Sequence, residues 1–287
     1  MEDKSTVWLK EVDKKHIPFV GGKGANLGHM FQHFEIPNGF CVTVKAYQDF
    51  LEKEGITEEM HGYLEGLDIE DTKKLDEASE KIRLLITSRE VPEKLKKEII
   101  ENYAKLSNQS VAVRSSATAE DLPTASFAGQ QDTYLNISGK SAVIESVKKC
   151  WASLFTSRAI YYREKNKFNH KDVGISVVVQ EMIHADFAGV MFTVDPIHKK
   201  HVLIEVVEGL GEALVSGQIT PNTYFLDNNT LSIVEEHLSF EFPLGKLKEI
   251  ARLGKKIAKH FEYPQDVEFC VKNGKIFIVQ SRNITTL

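Results

Sequence analysis

Apolar and polar positions change period several times along the chain, and each change predicts an element. Residues 20–29 read VGGKGANLGH, a glycine cluster followed by a helix expected over 25–33. A short apolar run predicts a strand at 40–44. Residues 46–54 and 71–106 have helical spacing with heavily charged outer faces, and Pro92 suits the first turn of a second helix inside the longer span. Residues 110–114 read as a strand. Ile144, Val147, Trp151, Leu154 and Phe155 recur at helical spacing, which predicts one amphipathic helix over 141–165. Residues 175–182, 189–194 and 202–207 are β-rich, and 244–261 is helical. Two strand-like runs, 267–271 and 276–280, flank Asn273-Gly274, a hairpin signal. Strands and helices mixed without regular alternation predict an α+β fold.

Composition narrows the class. The 287 residues are 42% hydrophobic and 27% charged, as in a globular protein, and carry a net charge of −5. An acidic balance argues against binding to nucleic-acid backbones, so no nucleic-acid partner is expected. The N-terminus MEDKSTVW has no apolar leader pattern, and no apolar run approaches membrane-spanning length. Cys41, Cys150 and Cys270 lie far apart among apolar neighbours without a CxxC, which suggests buried free thiols in a reducing compartment. A cytoplasmic protein without a membrane partner is the expectation.

Residues 111–133, VAVRSSATAEDLPTASFAGQQDT, carry the first candidate chemistry. Arg114 ends a strand-like run ahead of Ser115 and Ser116, a guanidinium fork plus hydroxyls suited to phosphate oxygens. Taken alone, Arg114 is better explained as an ion-paired surface arginine, and the loop that follows shifts the balance. Gly129, beside Phe127, is a point where backbone could approach a ligand. Lys23 lies within Gly21-Gly22-Lys23-Gly24, just ahead of a helix whose N-terminus favours anions. The spacing is not that of a Walker A loop, and a solvated lysine at a glycine-rich helix start is the alternative. Gln180-Glu181-Met182 closes a very apolar strand and offers an amide edge and an apolar wall to an adenine, or simply a strand running into a turn. Gly209-Leu210-Gly211-Glu212 reads as a glycine turn with a packing role. The ten histidines show no HExxH and no Cys/His metal spacing.

The C-terminal hairpin VEFCVKNGKIFIVQSR is the third candidate. Glu268, Gln280 and Arg282 are either solvated side chains on its polar face or a carboxylate, an amide oxygen and a cation that together hold a magnesium-bound phosphate. Register separates the two. A two-residue Asn-Gly turn with regular pairing places Glu268 opposite Val279 and turns Gln280 to the other face. A three-residue turn, Lys272-Asn273-Gly274, pairs Glu268 with Ile278 and makes Gln280 a diagonal neighbour on the same face. The three-residue turn is therefore expected.

Taken in order, GGKGANLG, the 111–133 segment with its continuation YLNI, CWASLF, VVVQEMI, GVMFTVDP, GLGEALVSG and the hairpin resemble the N-terminal nucleotide-binding domain shared by phosphoenolpyruvate synthase (pyruvate, water dikinase), pyruvate phosphate dikinase and rifampin phosphotransferase. The resemblance covers essentially the whole chain and implies an ATP-grasp fold with ATP and Mg2+ as ligands. It implies one nucleotide-binding domain over 1–287, with lobes at about 1–109 with 184–287, and 110–183. It puts Lys23, Arg114 and Arg282 on the phosphates as the catalytic cations. It puts Gly129 and Thr133 in a phosphate-covering lid, Gln180 with Met182 at the adenine, and Glu268 with Gln280 on magnesium. The implied activity is a dikinase-type phosphotransferase. A histidine on a separate swivelling domain receives the phosphoryl groups, and AMP and phosphate are left. The threonine- and glycine-rich signature of the phosphohistidine domain, and the acceptor domain, are absent from this sequence, so the partner is expected in trans or on a longer chain. Asn283 stands where relatives usually carry proline, with little chemical effect expected. An ATP-binding module of a rifampin or phenol phosphotransferase, and a non-catalytic nucleotide sensor, are the alternatives.

Overall fold

The computed structural model describes residues 2–107, 109–118, 121–122, 125–126, 132–170, 173–211 and 219–285. The chain divides into two compact units. The first comprises Met1–His29 with Asn38–Met182, and the second Met30–Pro37 with Ile183–Leu287.

In the first unit the chain enters through β1 (Thr6–Trp8) and α1 (Ile17–Met30), then β2 (Gly39–Val42). Four helices follow: α2 (Val44–Lys53), α3 (Ile56–Leu64), α4 (Thr72–Ser88) and α5 (Glu93–Ala104). Next come β3 (Ser110–Ala117), the two-residue strands β4 (Asp121–Leu122) and β5 (Ala125–Ser126), and β6 (Thr133–Ser138). Helices α6 (Lys140–Ala152) and α7 (Ser157–Lys165) precede β7 (Ile175–Glu181). Five strands form an antiparallel sheet in the order β1-β2-β7-β3-β6. Because side chains alternate across a strand, the sheet has two chemically distinct faces. Phe40, Val42, Val111, Val113, Val177 and Val179 point one way and join the core beneath the helices, where Trp151 stacks on Phe50 at 4.9 Å. Gln180, Ala112, Arg114 and Ser116 point the other way.

Two helical expectations change. The single helix over 141–165 is two, because Ser153–Phe155 tightens into a 3-10 turn and Thr156 adopts an extended conformation. The Thr156 hydroxyl then accepts from the Ala159 N–H at 3.3 Å and caps α7. Pro92 stands just before α5 rather than inside its first turn.

Among its described residues the second unit is a six-stranded antiparallel sheet backed by one helix. Its strands are β8 (Phe187–Phe192), β9 (His201–Glu208), β10 (Asn222–Asp227), β11 (Ile233–His237), β12 (Gln265–Lys272) and β13 (Lys275–Asn283), in the order β11-β10-β9-β8-β12-β13. Helix α8 (Leu244–Phe261) buries Leu247, Ile250, Ala251, Gly254, Ile257 and Phe261 along one stripe. Gly254 lets α8 approach Met191 and Thr193, which fixes the odd-numbered face of β8 as the helix side.

The lobe boundaries expected from the resemblance need correction. Residues 38–109 pack with 110–182 and not with 184–287. The cause is the β2–β7 pairing together with helices α2 to α5, which share one core with β3 and β7.

Candidate functional site

In the first unit, the two phosphate candidates meet at Ser116. Its hydroxyl donates to the Val20 carbonyl at 2.7 Å and accepts from the Gly24 N–H at 3.1 Å. Gly21 adopts φ 67° and ψ 176°, which breaks α1 between residues 20 and 22. A Cβ at Gly21 would collide with the Ser116 carbonyl and hydroxyl. Glycine is thus required twice, for the backbone conformation and for the close approach. Beyond the break the helix restarts, and Lys23 sits half-buried in its first turn, where backbone N–H groups and the helix dipole favour an anion.

Arg114 is on an interior strand of the sheet, paired in register with Thr133 on β6 and Val178 on β7, and is only 8% exposed. Its side chain is therefore not a surface one. Gln180 is buried opposite Ala112, diagonal to Arg114 on the same face, and Met182 is buried where its N–H donates to the Ser110 carbonyl at 3.0 Å. The Ser115 N–H and hydroxyl both donate to the Asp132 carbonyl, at 3.2 and 3.1 Å, and hold the return of the loop against β3. Gly129 lies outside the described residues.

In the second unit, the hairpin turn differs from expectation. Lys272 pairs with Lys275, so the turn is the two-residue Asn273-Gly274, with φ of 50° and 73°. That would put Gln280 on the wrong face, but a β-bulge intervenes. Phe269 pairs with Ile278 and Glu268 with Gln280, leaving Val279 as the extra residue. The Ile278 N–H donates to the Glu35 carbonyl at 2.9 Å instead of to the ladder. The bulge restores what the turn would have removed, and Glu268 and Gln280 are direct cross-strand neighbours.

Two residues unforeseen from the sequence join this face. Asp266, 7% exposed, accepts from Arg282 Nε at 2.8 Å and Nη2 at 2.7 Å through one carboxylate oxygen. Burial raises the Asp266 carboxyl above its ordinary value, while the Arg282 guanidinium pulls it down. Glu205 falls in the same cross-strand row, since Glu205 pairs with Val190, Val190 with Glu268, and Glu268 with Gln280. Partial burial raises its carboxyl too. The signal for Asp266 was the i, i+2 alternation with Glu268. Glu205 carried no local signal, because only the strand order brings it into line. Asn283, the departure from proline, accepts from Gln265 Nε2 at 2.6 Å and closes the end of the hairpin.

The sequence-predicted residues thus divide between the units, Lys23, Arg114, Thr133, Gln180 and Met182 in the first and Glu268, Gln280 and Arg282 in the second. Among the described residues no group of three or more His, Cys, Asp or Glu side chains is arranged to hold a metal ion, and no helix is long and apolar enough to cross a membrane.

A half-buried lysine at a glycine-broken helix start, a buried arginine on the adjoining strand, and an acid–amide pair beside a second arginine are arrangements chemically suited to multiply charged anions. The chain belongs to the pyruvate phosphate dikinase AMP/ATP-binding domain family, whose model matches residues 17–242 and 239–287. A "Probable phosphoenolpyruvate synthase" of Archaeoglobus fulgidus is 47% identical over 98% of this chain and 42% of its own length. Another, of Methanocaldococcus jannaschii, is 43% identical over 99% of this chain and 27% of its own length. A "Rifampicin phosphotransferase" of Bacillus cereus is 39% identical over 97% of this chain and 36% of its own length. The chain spans less than half the length of each of these relatives.

Proposed function

We propose that this chain is the ATP-grasp module of a phosphoenolpyruvate synthase-like phosphotransferase, which binds Mg-ATP and delivers its phosphoryl groups to a histidine on a swivelling domain, leaving AMP and phosphate. One observation carries the reading. In a chain matched over nearly its whole length by an AMP/ATP-binding domain, the bulge at Val279 sets Glu268 beside Gln280, two residues along the ladder from the Arg282–Asp266 pair. Glu268 and Gln280 supply adjacent oxygen donors of the kind magnesium takes, so the donor set fits that ion. Bound there, magnesium would neutralise phosphate charge. Arg282, oriented by Asp266, neutralises what remains on the transferring group. In the first unit, Lys23 and Arg114 take phosphate oxygens, with Thr133 beside Arg114, while Gln180 and Met182 present an amide and an apolar wall to the adenine. Phosphoryl transfer asks of a protein mainly positioning and charge neutralisation. An imidazole arriving neutral needs no general base on this chain.

A non-catalytic sensor has no use for the Glu268–Gln280 pair together with an arginine held by a buried carboxylate, so the complete set argues against that reading. The relation to rifampicin phosphotransferases keeps a second acceptor in view, and it concerns where the phosphate goes, not how ATP is held. Calorimetric titration with ATP tests the binding step. Binding should need Mg2+ and weaken about 10- to 100-fold in Arg114→Ala, the loss of one charge-assisted interaction. Binding unchanged by Mg2+ or by Arg114→Ala would refute the site.

A further inference from the structure

A second cationic site lies in the first unit, apart from every residue assigned above. Arg163 on α7 is 1% exposed. Its Nε–H donates to His170 Nδ1 at 2.8 Å, while Nη1 and Nη2 are buried with no hydrogen-bond partner among the described residues. His170 Nε2 is 2.7 Å from Glu164 Oε1. Arginine has only donors to offer, so His170 Nδ1 must accept, and the ring is neutral with its proton on Nε2, given to Glu164. The carboxylate is therefore engaged by the imidazole and does not reach the guanidinium. Burial pulls Arg163 down to about 10, which leaves it charged at neutral pH. A buried charge with two idle donors is costly unless a counter-charge completes it.

A cavity of about 960 Å³ is lined by neighbours of this group. Its wall includes Phe155, Tyr47 and His170. These are the residues around the guanidinium, which lies 5.3 Å from the Phe155 ring, interacts electrostatically with Tyr47 and bonds His170. Lys45 and His61 also line the wall. Of the acids there, Asp49 is paired with Lys45 at 2.8 Å, Glu164 is taken by His170, and Glu52 and Glu65 are exposed to solvent.

We propose that this cavity is a binding site for a small oxyanion, a phosphate or a carboxylate, whose oxygens take the two idle N–H groups of Arg163 as His170 turns aside. The guanidinium fork offers two parallel donors, which suits either group. The site is distinct from Lys23 and Arg114, so its occupancy would act on the nucleotide module from outside the nucleotide cluster.

Both tryptophans, Trp8 and Trp151, belong to the first unit, so their fluorescence follows its unfolding. The test is thermal unfolding of the chain in potassium phosphate and in potassium malonate, each against potassium chloride at equal ionic strength. At least one should raise the wild-type Tm by about 3 °C or more, a shift that Arg114→Ala keeps and Arg163→Gln loses. A response to phosphate alone marks a phosphate site, and to malonate alone a carboxylate site. No rise in either salt, a rise kept in Arg163→Gln, or one lost in Arg114→Ala overturns the proposal. If Arg163→Gln does not fold, ring-nitrogen NMR of the wild type replaces it. The stabilising anion must then shift the His170 signals, and a stabilised protein with His170 unmoved overturns the site.

Discussion

Replacing Gly21 by alanine tests how the glycine cluster and the Arg114 strand are joined. Gly21 sits at φ 67° and ψ 176°, a conformation almost confined to glycine. Holding alanine there costs about 1–3 kcal/mol in backbone strain. The new Cβ also overlaps the carbonyl and hydroxyl of Ser116, and relieving such overpacking costs about 1–3 kcal/mol more. Gly21→Ala should therefore destabilise the first unit by about 4 kcal/mol. Urea unfolding followed by tryptophan fluorescence reads this out, because both tryptophans lie in that unit. Ser116→Ala is the matched control. It leaves the buried Gly24 N–H and the Val20 carbonyl without their side-chain partner and should cost about 2 kcal/mol. In the double variant Ser116→Ala should recover no more than about 1 kcal/mol, since the main-chain carbonyl still obstructs the Cβ. A Gly21→Ala protein within about 0.5 kcal/mol of wild type would refute the close approach of the glycine cluster to Ser116.

Three further outcomes follow from the same structure. Glu268→Gln and Arg282→Ala should each lower AMP formation by at least about 100-fold with a competent histidine-domain partner while leaving the unfolding curve unchanged; wild-type turnover in either would remove that residue from the mechanism. Burial raises the Asp266 carboxyl, so the native state holds that proton longer than the unfolded chain does, and this contribution to stability is lost as pH rises from the ordinary 3.8 through the raised value. Hydrogen exchange of β12 should show wild type losing stability relative to Asp266→Asn across that window, and parallel curves would contradict it. Cys41 and Cys150 are fully buried, with Cys41 pushed up to about 12 and Cys150 also raised by burial, while Cys270 is partly exposed. Native protein should thus react with a thiol reagent at one cysteine, Cys270, and two or three fast-reacting thiols would show the burial to be wrong.

Local patterns made the elements that carry the candidate site legible in the sequence. The Arg114 strand, the glycine cluster at Lys23 and the Asn273-Gly274 hairpin all carry signals within a few residues, and all three form. What escaped was set by tertiary pairing. The two-residue turn follows ordinary Asn-Gly chemistry, yet the same-face result depends on a bulge at Val279, where the Ile278 N–H leaves the ladder for the Glu35 carbonyl. Nothing adjacent to Val279 announces a partner more than 240 residues away in sequence. Glu205 enters the row only because β9, β8 and β12 are neighbours, an order that strand periodicity does not encode. The lobe boundary failed for the same reason, since β2 joins β7 across more than 130 residues. Conversely, the 141–165 helix was misjudged on local grounds, because Thr156 is a capping residue that apolar spacing alone passes over.

The central claim is that the phosphates held by this chain go to a histidine and leave AMP. The direct measurement supplies the chain with Mg2+, ATP labelled in the γ-phosphate, and a histidine-bearing swivelling domain of a phosphoenolpyruvate synthase, and follows the adenine product by chromatography. The account predicts AMP with released phosphate and a phosphohistidine on the partner. Formation of ADP without AMP, or tight ATP binding with no phosphohistidine at all, would contradict it.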